Sequence, residues 1–282
     1  MPTPQRARAN RPLDGVTVID FGQIYQGPYA TFLMAKAGAN VIKVEPLVGE
    51  PMRYRAKASK GAGLPIAMIN ANKRGITLNL KTERGCELLK EMVTCADILL
   101  ENFTPGVMDR LGVGWQVLNE INPRLICASG TGFGLSGPAK DNMAMDLTVQ
   151  AASGLMSVTG EPDGPPLKCG AAVVDFISGI HLYAAVMTAL YERTVTGKGR
   201  LVEVAMQEAI YCSLASNLGA LYSTDGKVPA RTANRHGGLA LVPYNVYRAK
   251  DGYVGHHLCE RSALGAPDCR DAAHRPGRSF AL

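Results

Sequence analysis

The feature that most restricts this chain is an alternation, through its first two hundred residues, of short apolar strands with helical patterns. Val16-Thr-Val-Ile-Asp-Phe21 reads as a strand and Gln23–Gly27 as a loop. A helix is predicted from Pro28, a residue suited to a first helical turn, to about Ala37, where Gly38 ends it. Val41–Glu45 is the next strand, and Leu88, Leu89, Met92 and Val93 at helical spacing predict a helix over Glu83–Cys95. Strands follow at Asp97–Glu101 and Arg124–Ala128, with short helices near Met108 and Val117 between them. Such alternation implies an α/β fold, a parallel sheet with helices on both faces. Ligands of an open sheet of that kind sit at the carboxyl ends of its strands.

Further on, a helical region is expected from Met145 toward Gly160. Another follows Asp175, with Phe176, Ile180, Tyr183, Met187 and Leu190 forming a core-facing stripe. Thr196–Arg200 is a turn, and Leu201–Ala205 a strand. A Gly/Pro-marked stretch at Ser223–Pro229 reads as a domain boundary, and Lys250–Val254 as a hairpin entering a second domain. From His256 the periodicity stops while Arg, His, Cys and Pro accumulate. The expected domains are therefore a basic tail over 1–11, a large domain over 12–225, the start of a small domain over 226–255, and an aberrant, disordered tail over 256–282.

Composition excludes several functions. With 46% hydrophobic and 19% charged residues the chain has an ordinary globular balance, and we expect no membrane span and no secretory signal, hence a cytoplasmic protein. The net charge of +6 is spread out, and the 6% aromatic residues do not interleave with a basic run, so nucleic acid is not an expected partner. The seven cysteines (86, 95, 127, 169, 212, 259 and 269) form no C-x-x-C pair and read as reduced thiols. His256, His257 and Cys259 lack a fourth ligand at suitable spacing, so no metal is expected.

Among motifs, Gly132-Phe-Gly-Leu-Ser-Gly137 matches G-x-G-x-x-G, but Pro138 and a polar loop follow it where a dinucleotide site needs a helix. It reads as a flexible loop over a site. Ser129 and Ser178 have no partnering His at recognisable spacing, which argues against a serine hydrolase. The loops Gln23–Pro28, Asn72–Lys81 and Glu101–Gly106 put Lys, Arg and free amides along one sheet edge, an arrangement suited to a phosphate-bearing ligand. Asp175 lies in Gly170-Ala-Ala-Val-Val-Asp175, between small residues and a long helix. Taken alone it reads as that helix's N-cap.

In combination these segments resemble a known family. The residues are Pro12–Phe21, Gly27-Pro28, Val41–Glu45, Asn72-Lys-Arg, Glu101-Asn-Phe, Met108–Gly112, Gly154-Leu-Met, Gly164-Pro-Pro and Gly170–Asp175. Over about residues 12–255 their order and spacing are similar to the class III CoA-transferases, the family of formyl-CoA and carnitine CoA-transferases, with α-methylacyl-CoA racemases as relatives. The resemblance implies a Rossmann-like large domain, a smaller second domain and an interlocked homodimer. It also implies that Asp175 is a nucleophile moving CoA from an acyl-CoA thioester to a carboxylic acid, by way of an aspartyl anhydride and an aspartyl-CoA thioester. No permanently bound cofactor is implied; the CoA thioester is a substrate. Family CoA-binding positions carry over onto Gln26, Leu78, Lys81, Asn102, Phe103 and Arg110. Lys81 and Arg110 would meet phosphates, Leu78 and Phe103 would border adenine or pantetheine, and Gln26 would lie near the thioester. The racemases carry a His where this chain has Met145, which favours transfer over racemisation. Tyr25 replaces a glutamine of the formyl-CoA enzymes and argues against a formyl/oxalate pair. The tail resembles a frameshift or truncation, so the alternatives are an acyl-CoA racemase or epimerase of the same family and a catalytically inactive fragment.

Overall fold

A computed structural model describes residues 11–55, 63–241 and 243–257. In chain order they form β1 (Thr17–Asp20), α1 (Gln26–Lys36), β2 (Asn40–Glu45), α2 (Met52–Arg55), α3 (Leu64–Asn70) and β3 (Arg74–Thr77). Next come α4 (Glu83–Val93), β4 (Ile98–Glu101), α5 (Val107–Arg110), α6 (Trp115–Ile121) and β5 (Ile126–Thr131). After them lie α7 (Asp146–Ala152), α8 (Val173–Thr196), β6 (Leu201–Ala205), α9 (Met206–Tyr211), α10 (Ala215–Ser223) and the strands β7 (Tyr244–Arg248) and β8 (Tyr253–His257).

Strands β1–β6 form one sheet in the order β3-β2-β1-β4-β5-β6, and every pairing is parallel. This is the parallel α/β sheet expected from the alternation, and its strand order is that of the Rossmann-like domain the resemblance implied. Because successive strand residues point to opposite faces, the apolar runs divide between two cores. Val18, Ile98, Leu100, Ile126 and Ala128 pack under α1 and α8, with Met34, Leu182 and Val186. Ile19, Leu99 and Cys127 pack on the other face with Leu89, Val93 and Leu118. Chain order reverses between β1 and β4, so the crevice at their carboxyl ends is the place where such sheets bind ligands.

Three readings need correction. Asn72–Lys81 contains a strand, β3, which the sequence disguised because Arg74–Thr77 is an exposed sheet edge without apolar alternation. Helix α8 is long and apolar enough, by length and composition, to cross a bilayer. A search for an unbroken apolar run misses it because Asp175, Ser178 and His181 interrupt the run. In this fold Leu182, Val186 and Ala189 of α8 pack into the first core beside α1, and Arg193 bonds Asp97 at 2.9 Å. The strand over Tyr253–His257 also runs past His256, where the periodicity had been read as ending. The expected tail beyond His257 lies outside the described residues, as do Cys259 and most of the expected basic tail. The five cysteines among the described residues are free thiols.

The chain divides into two compact units. Among the described residues, one holds those up to Val149 with Ala171–Ile210; the other holds Gln150–Gly170 and those from Tyr211 on. Within the second, the Arg231 guanidinium donates to the Gly164 carbonyl at 2.7 Å and to Glu161 at 3.1 Å, pinning the 157–164 loop. The antiparallel β7–β8 hairpin belongs to this unit.

Candidate active site

Three consecutive backbone positions after β1 are clamped. The Gly22 N–H donates to Asp20 Oδ1 at 2.8 Å, and the Gly22 carbonyl accepts from Lys43 Nζ at 2.7 Å. Gln23 exchanges two hydrogen bonds with the Asn102 carboxamide, at 2.7 and 3.0 Å. The Ile24 N–H donates to Glu50 Oε2 at 3.1 Å and holds Ile24 at φ +63°, a conformation that β-branched residues avoid. The loop therefore delivers Gln26, the first residue of α1, to a fixed place.

Beneath the loop lies a buried ionic network. Lys73 Nζ shares its three N–H groups among four acceptors, Asp20 Oδ2 (2.9 Å), the Pro28 carbonyl (2.9 Å), Thr31 Oγ1 (2.7 Å) and Asn70 Oδ1 (2.8 Å). Burial alone would raise the Asp20 pKa, but the charges of Lys73 and Lys43 outweigh it and hold the carboxyl below its usual value. Burial also depresses Lys73, to about 8, against the pull of Asp20. The sequence placed Lys73 among the cations available for phosphate. Its side chain is 2% exposed and engaged by Asp20, so it is a structural cation.

A cavity of about 180 Å³ opens at the carboxyl ends of these strands, walled by Gln26, Asn102, Phe103, Gly130, Asp146 and Asp175. Asp175 is the third residue of α8 and buried, with 9% exposure. It is not the helix cap that local reading assigned. Ala172 occupies the cap position without a side-chain bond, and Asp146 Oδ1, from the start of α7, accepts from the N–H groups of Val174 (2.9 Å) and Asp175 (3.3 Å). A carboxylate from another helix thus does the capping, and α8 presents the positive end of its dipole to this wall.

Of the predicted site residues, the fold brings Gln26, Asn102, Phe103 and Asp175 to one cavity. Leu78, Lys81 and Arg110 lie outside its wall. Leu78 packs against the second core, and its N–H donates to the Glu45 carbonyl at 2.9 Å. Lys81 and Arg110 are exposed, on segments that follow the carboxyl ends of β3 and β4. Sequence reasoning missed Asp146 as a cap, because the contact spans 28 residues. It also missed Lys140 and Asn142, which line the cavity from the loop after β5. Beside this site Glu101 borders a smaller cavity of about 90 Å³. Burial, reinforced by Asp109, lifts its pKa to about 7 although Ser129 and the Phe103 N–H bond to it. Burial likewise pushes the Cys127 thiol up.

The sequence profile of CoA-transferase family III matches residues 13–264. The chain belongs to that family. Among relatives of this family III protein, the acetyl-CoA:oxalate CoA-transferase of Acetobacter aceti is 41% identical over 273 residues, covering 93% of this chain and 69% of that protein. The formyl-CoA:oxalate CoA-transferase of Streptomyces avermitilis is 45% identical over 199 residues, covering 70% of this chain and 48% of that protein. The crystal structure of a CAIB/BAIF family protein from Brucella suis superposes with a TM-score of 0.80 at 35% identity, over 87% of this chain and 65% of that one. This family III chain thus spans about half the length of the formyl-CoA relative and about two thirds of the other two.

Proposed function

We propose that this chain transfers CoA from an acyl-CoA thioester to a short dicarboxylic acid, with Asp175 as the nucleophile. The observation that carries the proposal is one cavity at the switch point of a family III sheet, walled by Asp175, Gln26, Asn102 and Phe103. The acceptor class is supported by the two relatives, which are both oxalate CoA-transferases. A volume of about 180 Å³ accommodates the reacting groups rather than a whole CoA. The nucleotide would therefore run over the sheet edge, where Lys81 and Arg110 are free to meet its phosphates. Leu78 would border the adenine or pantetheine.

In the first step an Asp175 oxygen attacks the thioester carbon. A C–O bond forms, the C–S bond breaks, and the negative charge passes from carboxylate to CoA thiolate. The thiolate then attacks the aspartyl carbonyl, releasing the donor acid and leaving aspartyl-CoA. The acceptor carboxylate reverses both steps and regenerates Asp175. A carboxylate is a weak nucleophile, so alignment in a confined cavity is the protein's main contribution. The working assembly in this proposal is a homodimer.

Intact-mass spectrometry after mixing with acetyl-CoA, formyl-CoA and succinyl-CoA tests the reading. An adduct of CoA mass, present in the parent and absent from Asp175→Ala, is the expected result. A folded protein that binds CoA but forms no adduct with any donor would overturn it.

A further inference from the structure

We propose that Gln26 is a catalytic hydrogen-bond donor, its Nε2 supplying an N–H to the thioester oxygen as that oxygen becomes an oxyanion. The inference rests on the transferase reading above and assigns the charge-stabilising group that the reaction needs. Gln26 is 2% exposed, yet its Nε2 has no hydrogen-bond partner in the protein. Among the described residues only Glu50 Oε1 is in a similar state, and that atom has Lys43 Nζ at 3.5 Å. Folded proteins pair nearly all such buried donors, and an exception beside a candidate nucleophile points to a ligand atom as the missing acceptor.

The position is built. Gly130, the penultimate residue of β5, lies against the Gln26 carboxamide, where a Cβ would stand 2.6 Å from Oε1 and 2.8 Å from Cδ. Gly179 lies one helical turn beyond Asp175 on the same face of α8, and a Cβ there would stand 2.8 Å from the Gln26 carbonyl. Two glycines thus seat the first turn of α1 against both β5 and the α8 face that carries Asp175. The loop before Gln26 is held at Gly22, Gln23 and Ile24, so its amide does not need to reorganise during reaction. A fixed, neutral donor in a confined site is the kind of group that stabilises charge appearing only in the transition state.

When Asp175 attacks, the carbonyl π pair moves onto the thioester oxygen. It returns as the C–S bond breaks and the thiolate leaves. The Nε2–H bond would be strongest while that charge is present, so its removal lowers kcat rather than raising KM.

The test compares the parent with Gln26→Met, which keeps length but has no donor, and Gln26→Glu, which keeps shape but is acceptor-only when ionised. Rapid-quench mass spectrometry follows formation of the Asp175–CoA adduct at saturating acetyl-CoA. We expect a 10²–10³-fold slower rate in both variants at pH 8, CoA affinity within threefold of the parent, and a Tm for Gln26→Met no lower than the parent's. A merely structural glutamine would instead lose stability and CoA affinity together with rate. If Gln26→Met fails to fold, the isosteric Gln26→Glu carries the comparison. A variant rate within threefold of the parent overturns this proposal alone. A parent that forms no adduct overturns the transferase reading, and this proposal with it.

Discussion

Replacing Lys73 with Met removes the cation under the Gly22–Ile24 loop while keeping most of its apolar stem, and the expected loss can be worked from the geometry. The Nζ–Oδ2 distance of 2.9 Å corresponds to about 6 kcal/mol of gross attraction at an effective dielectric of 20. Desolvation of both groups offsets much of this, and breaking a buried pair from one side typically costs about 3–5 kcal/mol. Asp20 would keep two donors, the Thr31 hydroxyl at 2.7 Å and the Gly22 N–H at 2.8 Å, so the lower end applies, about 3 kcal/mol. For a domain of this size that is roughly 6–12 °C in Tm. The pH dependence should also invert. In the parent the Asp20 pKa is lowered, which adds stability above its unfolded value; without Lys73 burial raises it, so stability falls as pH rises through the new value. Urea denaturation followed by circular dichroism at pH 5 and pH 8 measures both effects. Adding Asp20→Asn should then recover part of the loss, because the unpaired charge is gone. A loss below about 1 kcal/mol, or an Asp20→Asn change that simply adds its full cost, would show that the network does not hold the loop.

Other outcomes follow from the same contacts. Asp146→Ala removes the acceptor for two N–H groups of α8 and should lower stability by about 1 kcal/mol and slow adduct formation, while Asp146→Asn, which keeps an acceptor oxygen, should recover most of the stability. Gly130→Ala pushes a methyl into the Gln26 carboxamide; we expect a stability loss of about 1–3 kcal/mol and at least a tenfold slower adduct, measured by denaturation and rapid quench. Glu101 has a folded pKa of about 7, above its ordinary 4.5, so the stability linked to it is complete below 4.5 and is lost as pH rises to about 7. Parent and Glu101→Gln should therefore diverge by up to about 3 kcal/mol between pH 4.5 and 7.5, and parallel urea curves across that range would refute the assignment.

The sheet was legible because its central strands are buried and rich in β-branched and apolar residues, Val16–Phe21 and Val41–Glu45 among them, even though Asp20, Lys43 and Glu45 interrupt them. The edge strand β3 was not, since Arg-Gly-Ile-Thr packs on neither face. At the site, the resemblance made Asp175 the candidate nucleophile, and the local reading of it as an N-cap failed because Asp146 supplies the cap from 28 residues away and no local pattern encodes that distance. Lys73 failed for a related reason. A lysine between Asn72 and Arg74 looks solvated until the topology lays Asp20 and Thr31 over it. Gly130 and Gly179 are glycines for reasons that only the packing of α1 displays.

Helix α8 bears on how the polypeptide is made. While it emerges from the ribosome it satisfies the length and apolarity that a membrane-insertion machinery selects, and its exposed face still carries Ile180, Tyr191 and Val195 after folding. What distinguishes it at that moment is the order of synthesis. Three of its docking surfaces, α1, β5 and the Asp97 carboxylate that receives Arg193, lie upstream and are already translated when α8 appears. Of the strands and helices that α8 packs against most, β6 arrives later. The helix can therefore bury its inner face as soon as it forms. A permuted gene that placed residues 173–196 ahead of β1 would withdraw that protection and expose the segment to misrouting and aggregation during translation.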